Sequence, residues 1–409
     1  MTIVVMKFGG PAVKTTERIQ HVARKIIEVK KQGYQVVVVV SSMPAVRQTI
    51  RQSIQDVTDD PKRREKDAVV ATGAQMTSAL LALALHEYET SAVSLAAWQA
   101  GIQTDDTYAN ARIEQIDSTR INEHLQQGEV VIISGCQGVD KHGNITSLGK
   151  GGSEAVAIAL AATLQAQDVT IYSEVDGIYT ANPLIVEKAR KLYEISYDEM
   201  LELANLGAHI IHPRAVELAK KYQIPVIVRS FAEEAEGTLM KEEVQVEKNL
   251  IVRGVAYEAD IVRLTIGYKS YEEASLAEIF SVLADARINV DIIVQAVIDS
   301  VSPTISFTIA KEEFANALRV LESSKLSLGF SFADFEVGLA KVSIIGSGMV
   351  TNPGVAARMF DRLRAEHIPV KMVSTSEIKV SVVVPQDEMV NAANALHEEF
   401  NLAEQTTTY

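Results

Sequence analysis

Hydrophobic and polar positions alternate in blocks rather than singly along the first half of the chain. Ile3-Val4-Val5-Met6 is a short unbroken apolar run and reads as a buried strand. Residues 15–33 then place Ile19, Val22, Ala23, Ile26 and Ile27 on one helical face, with Thr15 or Thr16 as cap and Gly33 as stop. Gln35 to Val40 is a β-branched run of the kind buried on both faces of a parallel sheet. Strand, helix and strand within forty residues predict a βαβ unit. Val130–Ser134, Val169–Tyr172 and Pro225–Arg229 predict further strands of the same sheet. Between them, residues 44–66 predict an exposed helical excursion and Ala71–Gln75 a turn or helix start. A helix is expected over Thr77–His86, another over Ala155–Gln165, and helical pieces over 197–221 with a break near Gly207.

Two glycine-containing turns stand out of this pattern. Lys7-Phe8-Gly9-Gly10 closes the first strand, and Gly149-Lys150-Gly151-Gly152-Ser153-Glu154 runs into a helix. Bare backbone N–H groups, a helix N-terminus and a lysine together make an anion cradle. Ser41-Ser42 ends a central strand, where open α/β sheets bind ligands. Glu233–Glu247 is acidic and weakly patterned, which marks a domain boundary.

Beyond it the pattern repeats. Val262, Leu264, Phe280, Leu283, Ile288 and Val290 recur 80 positions later as Val342, Ile344, Phe360, Leu363, Ile368 and Val370. Phe307, Phe314 and Leu321 recur 75 positions later as Val382, Met389 and Leu396. Each copy reads strand, helix, strand, strand, helix, which predicts two small α+β modules with helices on one face of a sheet.

Composition narrows the function classes. The 409 residues carry a formal net charge of −14, which argues against non-specific binding to nucleic acid or an anionic membrane. No apolar run is expected to span a membrane, and no leader is legible in the first residues. Cys136 is the only cysteine, so no disulfide framework or cysteine-based metal site is expected and a reducing, cytoplasmic setting fits.

These motifs add up to a resemblance. In order and spacing, Lys7-Phe8-Gly9-Gly10, Val39-Val40-Ser41-Ser42-Met43, Ala71-Thr72-Gly73, Leu148-Gly149-Lys150-Gly151-Gly152-Ser153, His212-Pro213-Arg214-Ala215, Asn289-Val290-Asp291 and Ser374-Thr375-Ser376-Glu377 resemble aspartate kinases over nearly the whole chain. The resemblance implies an α/β amino-acid-kinase fold over residues 1–240, an open, mainly parallel sheet between helix layers. Two ferredoxin-like ACT modules would fill 241–409, at about 260–335 and about 336–409, the second completed by a strand near 250–258. It also implies ATP with Mg2+ and aspartate or an analogue as substrates. The expected effector is lysine or threonine, and the expected assembly is a homodimer through the ACT modules.

Residue by residue, the resemblance gives Lys7 the transferring phosphoryl group and Glu154 the task of holding that lysine. Ser41, Arg47, Ala74, Lys150, Gly151 and Ser153 would face the acceptor, and Phe8, Gly9, Gly10, Ser173, Glu174 and Tyr179 the nucleotide. Asn289, Asp291, Gln295, Asn352 and Pro353 would serve the effector. The chain departs from the family pattern at Pro11-Ala12, Arg47, Ala74, Lys150 and Leu184. Ala74 stands where the family has a glutamate for the substrate ammonium; with Arg47, one negative charge is lost and one positive charge gained, a shift of two charges in the acceptor pocket if both side chains face it. Three readings are open at this stage: an aspartate kinase with an altered pocket, a phosphotransferase for another carboxylate, and a regulatory protein that senses an amino acid.

Overall fold

The six residues Ile3–Phe8 form strand β1, and five of them are buried. Apolar side chains on both faces let β1 sit in the middle of a sheet, where it pairs in parallel with β2 (Gln35–Val40) and β9 (Val169–Ser173). Five more strands complete the sheet: β3 (Ala92–Leu95), β6 (Val130–Ser134), β12 (Glu194–Ser196), β13 (Val226–Ser230) and β14 (Thr238–Lys241). The order is β12-β14-β13-β9-β1-β2-β6-β3, and only the β13–β14 pair is antiparallel. A four-stranded sheet, β5 (Ile113–Ile116), β4 (Ile102–Thr104), β7 (Gln137–Val139) and β8 (Ile145–Ser147), and the short pair β10 (Ile178–Tyr179) and β11 (Lys191–Leu192) lie outside it. The computed structural model describes residues 1–205, 210–242, 251–269, 276–298 and 302–403, so the break expected near Gly207 lies outside the described residues.

Helices α1 (Thr16–Lys31), α2 (Pro44–Val57), α3 (Arg63–Glu87), α4 (Thr119–Gln126), α5 (Gly152–Leu164), α6 (Tyr197–Asn205) and α7 (Pro213–Tyr222) accompany the large sheet. Helix α1 is capped by Thr15, which accepts the Arg18 N–H, and buries the apolar stripe Ile19, Val22, Ala23 and Ile26. Helix α3 corrects the expectation of a turn or helix start at Ala71–Gln75 and of a helix beginning near Thr77. It runs unbroken through Thr72 and Gly73 for 25 residues. A Cβ on Gly73 would lie 2.5 Å from the Ser42 hydroxyl, so this glycine permits close approach of α3 to the end of β2. An 18-residue window of α3 has a mean hydropathy of 1.7, enough by length and composition to cross a membrane. Here its Leu81, Ala82 and Leu85 are buried in the protein core.

A second correction concerns the acidic stretch after residue 233. Thr238–Lys241 is strand β14, seated between β12 and β13. The remainder of that stretch from residue 243 onward lies outside the described residues.

The chain divides into two units, Met1–Ile178 with Lys191–Val246 and Tyr179–Arg190 with Glu247–Tyr409. The second contains β15 (Gly254–Gly267), α8 (Leu276–Asp285), β16 (Ile293–Ile298), β17 (Ser302–Ala310), α9 (Phe314–Ser323) and α10 (Lys325–Leu328). It continues with β18 (Phe332–Ile345), α11 (Val355–Ala365), β19 (Met372–Thr375), β20 (Lys379–Pro385) and α12 (Met389–Glu399). Its six-stranded antiparallel sheet has the order β16-β17-β15-β18-β20-β19. The repeat maps onto two cores. Val262, Leu264, Leu283, Ile288, Phe307 and Leu321 are buried in one, and Val342, Ile344, Leu363, Ile368, Val382 and Leu396 in the other.

Strand β15 serves both cores. Gly254–Glu258 pairs with Lys341–Ile345 of the second copy, and Ile261–Gly267 pairs with Phe332–Leu339, with the register shifting between Glu258 and Arg263. The linear boundaries expected from sequence do not contain the excursion Tyr179–Arg190, which is built into the second unit. Ala181 and Val186 join the second core, and the Val255 N–H donates to the Thr180 carbonyl at 2.7 Å.

Candidate active site

Lys7 leaves β1 near its carboxyl end with its side chain 8% exposed. Its Nζ donates to Glu154 Oε1 at 2.8 Å. The other carboxylate oxygen, Oε2, accepts the backbone N–H of His212 at 2.8 Å. Each oxygen of Glu154 therefore has one protein donor, and the ammonium is fixed at one of its three donors. A Cβ on Gly9 would lie 3.4 Å from Lys7 Nζ, so the glycine leaves the ammonium uncovered.

The Ser41 and Ser153 hydroxyls meet at 2.9 Å, one from the end of β2 and one from the first turn of α5. The second glycine turn leads directly into α5. Gly149 and Gly151 adopt φ +74° and +73°, in the left-handed region that glycine tolerates. A Cβ on Gly151 would fall 2.3 Å from the His212 ring and one on Gly149 2.7 Å from the Ala109 carbonyl oxygen. These turns are close-packed supports rather than loose linkers. They hold the start of α5, whose Gly152, Glu154 and Ala155 N–H groups donate to the Gly149 and Gly151 carbonyls, and leave the helix dipole directed at the same space.

Lys7, Gly9, Gly10, Ser41, Arg47, Ala74, Lys150, Gly151, Ser153 and Glu154 all line one cavity of about 660 Å3 within the first unit. Ten residues expected at the site from sequence are thus brought together, and the side chains of Arg47 and Ala74 share one space. Phe8 is a correction. Its ring is fully buried and stacks on Tyr172 at 4.5 Å, and its carbonyl accepts the Ser41 N–H. The alternation along β1 that points Lys7 into the cavity turns Phe8 into the core. Ser173, the last residue of β9, and Glu174 after it are not among the residues that line the cavity, and the Ser173 hydroxyl accepts the Val175 N–H at 3.0 Å. Tyr179 belongs to the second unit.

Of the expected effector residues, Asp291 pairs with Lys341, and the Asn289 N–H donates to Glu313 at 3.2 Å. Gln295 stands exposed on β16, Asn352 donates to the Gly348 carbonyl at 2.8 Å, and Pro353 is exposed.

Four supporting residues carried no assigned role in the sequence reading. Asp67, buried on α3, accepts the Ala109 and Ser147 N–H groups at 2.8 and 2.7 Å. Burial raises its carboxyl above the ordinary value against the pull of those two bonds. Arg214 donates to the carbonyls of Leu148 and Ala111 at 3.1 and 2.7 Å, which ties the approach to Gly149 from the other side. His212 holds Glu154 through its backbone; burial lowers its imidazole below the ordinary value, with Glu154 pulling the other way. The Cys136 thiol donates to the Gly149 carbonyl at 2.9 Å, and burial pushes that thiol up and away from reactivity. His212 and Arg214 sat in a motif visible in the sequence. Asp67 had no local signal, since a lone aspartate on a helix reads as a solvated residue.

Comparison with known proteins follows the same division of the chain. The sequence model of the Amino acid kinase family matches residues 2–230, and an ACT domain model matches residues 342–400. The chain is 49% identical over 403 residues to the aspartokinase of Bacillus sp. (strain MGA3), covering 98% of each. It is 50% identical over 406 residues to that of Geobacillus stearothermophilus, covering 99% and 98%. Among solved structures, E. coli aspartokinase III in complex with aspartate and ADP superposes with a TM-score of 0.80 at 24% identity, over 97% of this chain and 99% of that one, a likeness of fold. Aspartate kinase from Synechocystis superposes at 0.56 with 37% identity, over 98% of this chain and 69% of that one. With half its residues shared over full length and the lysine–glutamate and paired-serine geometry in one cavity, this chain belongs to the aspartokinase family.

Proposed function

We propose that the protein transfers the γ-phosphoryl group of ATP to the side-chain carboxylate of aspartate, giving 4-phosphoaspartate and ADP, under control of an amino acid bound by the two ACT modules. The observation that carries this reading is Lys7 held by Glu154 beside the Ser41–Ser153 pair, all facing one cavity between two glycine turns. The acceptor carboxylate is ionised at neutral pH and needs no general base. Glu154, paired with Lys7, is not required to act as one. A carboxylate oxygen attacks the γ-phosphorus, the bond to the β,γ-bridging oxygen breaks, and ADP leaves with the electron pair. The protein's task is to position both substrates and to neutralise charge on the transferring group. Lys7 has donors left for those oxygens. Of the two serine hydroxyls one donates to the other, which leaves the second O–H for the acceptor.

The triphosphate fits the chain's own features: the bare Gly9 and Gly10, the α5 N-terminus behind Gly151, and Lys7. Magnesium bound with the nucleotide would supply further charge neutralisation on its phosphates.

The E. coli structures bear on control: one contains aspartate and ADP and another lysine and aspartate. On our reading lysine or threonine binds near Asn289, Asp291, Gln295, Asn352 and Pro353. A homodimer forms through the six-stranded sheet, whose Phe332, Phe335 and Val337 are 47%, 49% and 52% exposed. A reducing cytoplasm suits the single free thiol. Incubation with ATP, Mg2+ and aspartate, with hydroxylamine to trap acyl phosphate, tests the reaction. Hydroxamate formed in step with ADP supports it. ADP release without hydroxamate, or neither product, overturns it.

A further inference from the structure

One wall of the cavity exceeds what phosphoryl transfer to aspartate asks for. Helix α2 presents Arg47, Ile50, Arg51 and Ile54 to it, a spacing that puts all four on one helical face. No residue of α2 is fully buried: Ile50 and Ile54 are half-buried, with Ile50 against Gly73 of α3, while Arg47 and Arg51 are exposed. Lys66 on the first turn of α3 and Lys150 in the glycine turn line the same space. Arg47, Arg51, Lys66 and Lys150 have no ion pair or side-chain hydrogen bond among the described residues. Against them stand two carboxylates. Glu154 is spent on Lys7 and His212, which leaves the exposed Asp59 alone. Ala74, where α3 meets the cavity, offers a methyl group. An acceptor with an ammonium group brings a positive charge into a space where four cations face one free carboxylate. An acceptor with extra carboxylates and no ammonium compensates those cations.

We infer that the acceptor end of this cavity takes a di- or tricarboxylic acid without an ammonium group more tightly than it takes aspartate, and that such an acid is phosphorylated on one carboxylate. The inference rests on the phosphotransfer reading of this site only for its second half. The step balances as it does for aspartate: a carboxylate oxygen bonds to the γ-phosphorus, the bond to the β,γ-bridging oxygen breaks, ADP departs, and no proton or electron is exchanged.

Calorimetric titration of the full chain with tricarballylate, succinate and aspartate, each with saturating ADP and Mg2+ present, tests it. The dissociation constant of tricarballylate is expected about tenfold or more below that of aspartate, from two additional charge pairings. Arg51→Gln with Lys66→Gln is expected to erase that advantage while aspartate affinity holds or improves. Ala74→Glu, a change at a different wall, is expected to shift the preference towards aspartate. Aspartate binding as tightly as tricarballylate in the unaltered protein overturns the inference. So does expulsion of tricarballylate by ADP, which would give the cationic face to the nucleotide's phosphates. Hydroxylamine trapping on the same samples separates the two readings. Tighter tricarballylate without hydroxamate from any acid leaves the pocket assignment standing and removes phosphoryl transfer. Hydroxamate from aspartate with weaker tricarballylate does the reverse.

Discussion

Lys7 in the first unit and Lys341 in the second are buried to the same degree, with side chains 8% and 6% exposed. Lys341 reaches two carboxylates, Glu258 at 2.7 Å and Asp291. Burial alone would lower its ammonium, but Asp291 and Glu258 outweigh that and hold it above the ordinary lysine value. Lys7 reaches one carboxylate, which a backbone N–H shares, and it lines an open cavity. Burial does not separate a working lysine from a structural one. The separation lies in how much of its donor capacity the protein itself consumes. Lys341 ties β18 to β15 and to the segment after α8, and Lys7 is held ready for a group that arrives from outside.

Removing Lys7 gives the largest effect. Lys7→Ala is expected to lower turnover about a thousandfold, as loss of a preorganised charge at a transition state does, with little change in thermal midpoint. Steady-state ADP release and a melting curve on the same sample measure both. Gly151→Ala leaves Lys7 in place and disturbs its support. The new Cβ enters the His212 ring at a φ of +73°, so Glu154 loses its anchor and turnover falls about a hundredfold.

The second unit answers in stability instead. His397 is buried, and its Nε2 meets the Thr180 hydroxyl at 2.9 Å. That hydroxyl also accepts the Arg190 N–H. Burial first, then the charges of Arg190 and Lys188, push the imidazole down to about 4. The unfolded chain thus binds the proton first. Stability is whole above about pH 6.5 and is lost as pH falls towards 4, by about 2 kcal/mol at pH 4.5. Denaturant melts at several pH values, compared with His397→Gln, check the slope, which the variant flattens. Lys341→Met gives the smallest effect, a loss of about 1 kcal/mol, because Asp291 and Glu258 remain partly exposed to water. A loss of turnover in Lys341→Met as large as that in Lys7→Ala would break the comparison.

Much of this molecule is legible in its sequence where a signal is local. The run Ile3–Met6, the β-branched Val36–Val40 and the glycines around Lys150 announce two strands and a cradle because each depends on its own neighbours. The 80-residue offset between Val262 and Val342 reveals two cores for the same reason. The Leu-rich half of α3 is legible, but its extension back to Arg63 is not, because the first half is polar and Gly73 lacks a Cβ for the sake of contact with Ser42. Phe8 was misplaced because a motif names four consecutive residues although a strand turns alternate ones to opposite faces. The excursion Tyr179–Arg190 has no local mark. Thr180 finds its partner 217 residues away, at His397. Asp67 is a polar residue on a polar turn of α3 until the structure brings Ala109 and Ser147 to it.

The account turns on Glu154 aiming Lys7 rather than merely neutralising it. The rate of acyl-phosphate formation by Glu154→Ala, with ATP and the acceptor saturating, measures that directly. A fall of about a hundredfold, with ADP affinity within about threefold of the unaltered protein, is the predicted result. A rate within about threefold of the unaltered protein would contradict it, because Lys7 would then need no partner to do its work.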